Sequence, residues 1–129
     1  MSAETVLEWV HKAEGDYENA RILARQRKKF LPDNICWSCQ QCAEKYLKAF
    51  LTRHQVAFAF THNLTGLLKL SSDVDPDFRL ISHSLQYLNV FGPEIRYPGA
   101  SATRSDAREA LDAMKHVRKF VRAKLGLHR

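Results

Sequence analysis

Every cysteine of the 129-residue chain falls within one stretch, "CWSCQQCAEKYLKAFL", Cys36 to Leu51. The spacing invites a metal or redox reading. Structural zinc needs four tetrahedral ligands, usually presented as two pairs on turns, and the chain offers no fourth cysteine and no suitably spaced histidine pair nearby. A Cys-x-x-Cys redox pair sits at a helix start after a strand, and no strand pattern precedes this stretch. At 100° per residue, Ile35, Cys39, Cys42, Ala43, Tyr46, Leu47 and Phe50 share one broad helical arc, with Cys36 at its margin. The cysteines are therefore expected as reduced, buried core residues, in keeping with the strong tendency of free cysteine to bury. No metal or cofactor is expected.

The opposite arc carries the chemistry. Trp37, Gln41, Glu44 and Lys48 recur there at steps of three and four, with Lys45 beside them. Glu44 and Lys48 have the orientation of a helical ion pair, which predicts a solvated face, while a large aromatic such as Trp37 on a polar face calls for a partner. His62 precedes an N-cap at Asn63; it either packs and fixes that turn or contacts phosphate, or acts as a base, near a helix N-terminus. Arg96, followed by Tyr97 in a loop, offers a planar fork suited to phosphate oxygens. The other histidines, His11, His54, His83, His116 and His128, do not pair on any helical face.

Helices must position these groups. Val6, Val10, Ala13, Tyr17, Ala20 and Ala24 form one stripe, with Thr5 and Glu8 at capping-box spacing, and this first helix should end near "RQRKKF", where Pro32 closes the turn. Asp33 is the expected N-cap of a second helix reaching about His54. A short helix is expected over residues 64–70. Asp75-Pro76 opens another, with Phe78, Ile81, Leu85 and Leu88 on its stripe and Gly92-Pro93 as its stop. The last runs from about Ser105, with Ala107, Leu111, Met114, Val117, Val121 and Leu125 on its apolar face. "RHQVAFAFTHN" is the one segment that could be a strand-like loop. The expected architecture is all-α: an up-and-down four-helix bundle with an additional short helix, one domain over residues 1–129. In such a bundle Arg96 lies at the end that holds Trp37 and Gln41, and His62 follows the other end.

A formal charge of +6 and a pI near 9.4 favour phosphate-bearing partners. No apolar run is long enough to cross a membrane, and the acidic start "MSAETVLEWVHKAEGD" lacks the basic-then-apolar pattern of a signal peptide, so a cytoplasmic location is expected. The basic cluster Arg25, Arg27, Lys28 and Lys29 and the basic side of the last helix read as solvated surface that would contribute if RNA binds.

Taken together, these motifs resemble the HEPN domain family. Gln40, Gln41, Ala43, Glu44, Lys45, Leu47, Lys48 and Ala49 match its second-helix run, with Cys42 replacing an alanine; "THNLTGLL" and "IRYPG" resemble two further segments, and Ala13, Asp16 and Ala20 fit the first helix. The resemblance implies a four- or five-helix bundle, commonly a homodimer, that binds a nucleotide or RNA and partners a minimal nucleotidyltransferase in a toxin–antitoxin-like pair. Ribonuclease members carry Arg, four to six residues, then His. No such pair occurs around Arg96, where the motif would be expected: Arg79 and His83 have only three residues between them, and the histidine after Arg96 is His116; Arg122 and His128 have the spacing but lie outside that region, at the end of the last helix. The resemblance thus implies the non-nuclease branch, with Trp37, Gln41, Glu44, Lys45, Lys48, His62, Arg96 and Tyr97 as ligand-binding candidates and no catalytic residue. The alternative is a metal-independent ribonuclease toxin using Arg96 with His62 or His83.

Overall fold

A computed structural model describes residues 3–127 and contains five α-helices: α1 (Ala3–Ala24), α2 (Pro32–Arg53), α3 (Leu64–Val74), α4 (Ser82–Asn89) and α5 (Arg104–Lys124). Two 3₁₀ turns, Pro76–Ile81 and Pro93–Arg96, lead into α4 and follow it. No strand occurs among the described residues, and none of their helices is long and apolar enough to cross a membrane.

Local chemistry explains most boundaries. Thr103 and Asp106 form a reciprocal capping box at the start of α5. The Asn63 side chain accepts from the Thr65 N–H at the start of α3, and that of Asp75 accepts from the Asp77 N–H. Other caps differ from expectation. The first helix spans Ala3–Ala24, so Thr5 lies inside its first turn and not at an N-cap position. Pro32 does not close a turn; it occupies the first turn of α2, where its missing N–H costs no hydrogen bond, and Leu31 holds the N-cap position. Asp33 instead accepts from the Ala102 N–H at 2.6 Å and ties the loop before α5 to the top of α2. The helix expected from Asp75 is divided, 3₁₀ to Ile81 and α from Ser82, but Phe78, Ile81, Leu85 and Leu88 are all buried.

The bundle is built around α2. Glu14 reaches Tyr46 and Asn19 reaches Ser38, so α1 runs antiparallel to it. Arg122 reaches Tyr46 and Arg53 reaches the Leu125 carbonyl, so α5 runs parallel. Packed from several sides, α2 buries Ile35, Cys36, Cys39, Cys42, Ala43, Tyr46, Leu47, Phe50 and Leu51 completely or nearly so. Each large apolar side chain among them contributes about 1.5–3 kcal/mol. Phe50 packs against Phe78 with tilted rings, centroids 4.3 Å apart, and Phe78 in turn meets Phe120 of α5 edge-on at 5.0 Å.

Helices α1, α2, α4 and α5 alternate in direction as the expected up-and-down bundle, and α3 is the additional short helix, reached through the segment after α2. Val56 N–H donates to the Leu51 carbonyl and Gln55 N–H to that of Thr52, a Schellman closure with Gln55 in the left-handed region at φ 58°. The chain then runs back up α2 as an extended strap, residues 54–63, with Val56 and Phe58 packed against the core. Because the strap returns to the level of Trp37 and Gln41 before α3 starts, α3 descends parallel to α2 instead of antiparallel.

Candidate functional site

The strap changes the environment of the polar arc of α2. Glu44 is 2% exposed and Lys48 5%, so this arc is not the solvated face that its spacing predicts. Around Glu44 the structure gathers four donors: His62 Nδ1 at 2.8 Å, Lys48 Nζ at 3.1 Å, Gln41 Nε2 at 3.2 Å and Gln40 Nε2 at 3.4 Å. A buried carboxylate is tolerable only when its oxygens are satisfied and its charge is compensated, and these contacts do both. Gln40 also donates to the His62 carbonyl at 2.8 Å, fixing the end of the strap. The Lys48 ammonium lies 5.5 Å from the Trp9 ring and 5.7 Å from each of Phe58 and Phe60, where ring faces partly replace its water.

Outward from Glu44 the groups become accessible. His62 meets the Trp37 ring edge-on, with centroids 5.6 Å apart. On the same ring rests the Arg96 guanidinium, 4.4 Å from the centroid and 5.6 Å from that of Tyr97. The 3₁₀ turn Pro93–Arg96 aims it there: Ile95 is buried as an anchor, and Arg96 Nε donates to the Pro93 carbonyl at 3.3 Å. Tyr97 is 60% exposed and Phe60 fully so. The 2.8 Å contact turns Nδ1 toward Glu44, so that in the tautomer that donates there Nε2, at the far edge of the ring, is an acceptor. The assembly is a cation and an imidazole on one indole, flanked by exposed aromatics, with a carboxylate beneath. Such a surface can hold a phosphate beside a stacked planar group.

Of the eight candidate residues, the structure brings together seven. Trp37, Gln41, Glu44, His62, Arg96 and Tyr97 form one continuous patch, and Lys48 supports it from within. His62 and Arg96, expected at opposite ends of the bundle, share the Trp37 ring. Lys45 does not join them; its ammonium pairs with Asp16 of α1 at 2.5 Å. His83, the other histidine weighed with Arg96, lines a separate cleft between α4 and α5 with Ser84, Tyr87 and His116. Sequence reasoning missed Gln40, Phe58 and Phe60. The alternation in "VAFAF" was a signal for Phe58 packing inward, but nothing local marks where an extended segment will lie.

The cysteine reading holds. All three are free and fully buried, Cys36 included; burial pushes the Cys36 thiol up to about 12 and raises those of Cys39 and Cys42 as well. Among the described residues, no three His, Cys, Asp or Glu side chains are grouped as a metal ion would require; His128 lies outside them.

The model of the HEPN domain matches residues 6–124, nearly the whole chain. The chain belongs to the HEPN domain family. A solved structure of an archaeal HEPN homologue is similar over 92% of this chain and 96% of its own, with a TM-score of 0.71 and 24% identity, a likeness of fold. No curated protein matches the sequence. Within this HEPN domain, the second-helix run Gln40 to Ala49 and the segments at Thr61 and Ile95 are the pieces that meet around Trp37, which gives their spacing a common structural origin.

Proposed function

We propose that this HEPN domain is a non-catalytic module that binds a nucleotide or RNA through the Trp37 patch, as a homodimer beside a minimal nucleotidyltransferase. The observation that carries the reading is the Arg96 guanidinium held over Trp37 with His62 on the same ring. Arg96 and His62 supply the positive and hydrogen-bonding groups for a phosphate, and Trp37, Tyr97 and Phe60 supply planar surface for a base. The net charge of +6 adds attraction at long range.

Titration calorimetry with AMP and with a short single-stranded oligoribonucleotide at low salt tests the binding. We expect saturable binding that weakens with added salt and falls by about tenfold or more in Arg96→Ala, the loss of one charge-assisted contact. Absence of binding to either ligand at low ionic strength overturns the proposal. Light scattering tests the dimer, and copurification with a coexpressed minimal nucleotidyltransferase tests the partner.

One observation favours a second reading, metal-independent RNA cleavage. The Glu44–His62 contact orients an imidazole whose Nε2 can accept a proton, close to a cation able to stabilise developing phosphate charge. Cleavage of RNA in the presence of a chelator, abolished in both Arg96→Ala and His62→Ala, would establish this reading in place of the first.

A further inference from the structure

The end of the bundle next to the Trp37 patch carries charge that the patch does not use. The loop between α1 and α2, residues 25–31, bears Arg25, Arg27, Lys28 and Lys29, all exposed, and Arg104 stands exposed in the first turn of α5 beside it. None of the five forms an ion pair among the described residues. The carboxylates of Asp33 and Asp106, at the starts of α2 and α5, are engaged by backbone N–H groups, that of Ala102 at 2.6 Å and that of Thr103 at 2.9 Å. The cations therefore outnumber the acids here, and they face water.

Tertiary contacts join these charges to the patch. The Arg104 guanidinium lies 4.1 Å from the centroid of the Phe30 ring, as that of Arg96 lies 4.4 Å from the centroid of Trp37, so each end of the segment 96–104 sets an arginine on an aromatic ring near the start of α2. Between the two pairs Asp33 holds the Ala102 N–H, and Asp33 precedes Trp37 by one helical turn on the same side of α2. An arginine resting on a ring offers N–H donors to phosphate and a planar surface to a base. Leu31, 42% exposed, extends the apolar surface beside Phe30. Two such pairs, with further cations beyond the second, make a path longer than one nucleotide. Its rings suit bases that are not paired in a duplex.

We propose that the Trp37 patch is one end of this path, and that its ligand is a single-stranded RNA segment whose backbone continues past Asp33 and Ala102 onto Phe30, Arg104 and the basic loop 25–31. This rests on phosphate and base binding at Trp37 and narrows the ligand from a mononucleotide to a strand.

Calorimetry on the full chain with AMP and with octaadenylate, over a series of salt concentrations, tests this. We expect the octamer to bind at least about a hundredfold more tightly than AMP, since two further charge-assisted contacts account for that ratio. The variant Arg27→Ala/Lys28→Ala/Lys29→Ala, its folding checked by its melting temperature, should weaken octamer binding by about tenfold or more and leave AMP binding unchanged. It should also flatten the slope of log K against log salt for the octamer by about 2, at roughly 0.7 per phosphate contact. Arg104→Ala should act in the same direction. Arg79→Ala, which removes an exposed cation from the turn at the opposite end of the bundle, should change neither ligand. Affinity for the octamer no greater than for AMP, unchanged octamer binding in the triple variant, or equal losses in Arg79→Ala and Arg104→Ala overturns the path while leaving AMP binding at Trp37 intact. Octaglutamate bound as tightly as octaadenylate overturns it too, and would assign the basic end to an acidic protein. If neither AMP nor the octamer binds at low salt, the reading of the Trp37 patch falls and the path with it.

Discussion

Lys48 and Arg96 carry the same charge and stand near one patch, yet the structure gives them different work. Lys48 is buried against Glu44, so Lys48→Ala leaves a carboxylate in the interior with one compensating charge removed. The remaining donors from His62, Gln40 and Gln41 soften the loss, and we expect destabilisation on the order of 2–3 kcal/mol in urea unfolding. An exposed-pair effect of a few tenths would contradict the burial. Arg96 is exposed, and its replacement should change stability by less than about 1 kcal/mol while weakening ligand binding. The thiols provide a second residue-scale test. Buried and with their ionisation pushed far above neutrality, Cys36, Cys39 and Cys42 should react slowly with a thiol reagent at pH 8 and rapidly once the chain is unfolded in denaturant. Fast labelling of all three in native protein would show that α2 is turned differently.

At the scale of elements, the strap over residues 54–63 decides what the site is. It seals Glu44 and Lys48, delivers His62 to Trp37 and sets α3 parallel to α2. Its direction originates at Gln55, a non-glycine residue held at φ 58°. A left-handed L-residue costs about 1–2 kcal/mol, part of which glycine recovers against its greater freedom in the unfolded chain. Gln55→Gly should therefore raise stability by about 0.5–1 kcal/mol and leave the strap in place, measured as a higher urea midpoint with an unchanged slope. A destabilised variant would mean that the glutamine side chain contributes contacts that outweigh its backbone strain.

The whole molecule is joined by a charged seam that runs from α1 through α2 to α5: Glu14, Tyr46, Arg118 and Arg122. Burial alone would raise the Glu14 carboxyl, but the hydrogen bonds from Arg118 and Tyr46, with both arginines near, outweigh it and hold the group below the ordinary glutamate value of 4.5. A carboxyl depressed in the native state contributes stability that is present above 4.5 and is lost as pH falls through its lowered value. Asp16 has the opposite sign. Burial raises it despite Lys45, so it lowers stability above its native value, and that cost disappears on protonation. Glu14→Gln should therefore lower stability at pH 7 by about 1–2 kcal/mol, discounted for partial contact with water, and should flatten the fall in stability between pH 5 and 3. An unchanged pH slope would remove Glu14 from the seam.

Periodicity and capping chemistry made the helical elements and much of the core legible, because each depends on residues three or four apart. Val6, Val10, Ala13, Met114, Val117 and Val121 are buried as their spacing predicts, and Asn63 caps as its position predicts. The motifs around Gln41, His62 and Arg96 identified the components of one patch. Whether they meet was a question of tertiary structure, since the answer lay in a left-handed turn at a glutamine and in the course of an extended strap with no period of its own. The same segment reversed the reading of Glu44 and Lys48. Helical spacing determines which residues share a face of α2; only packing determines whether that face meets water.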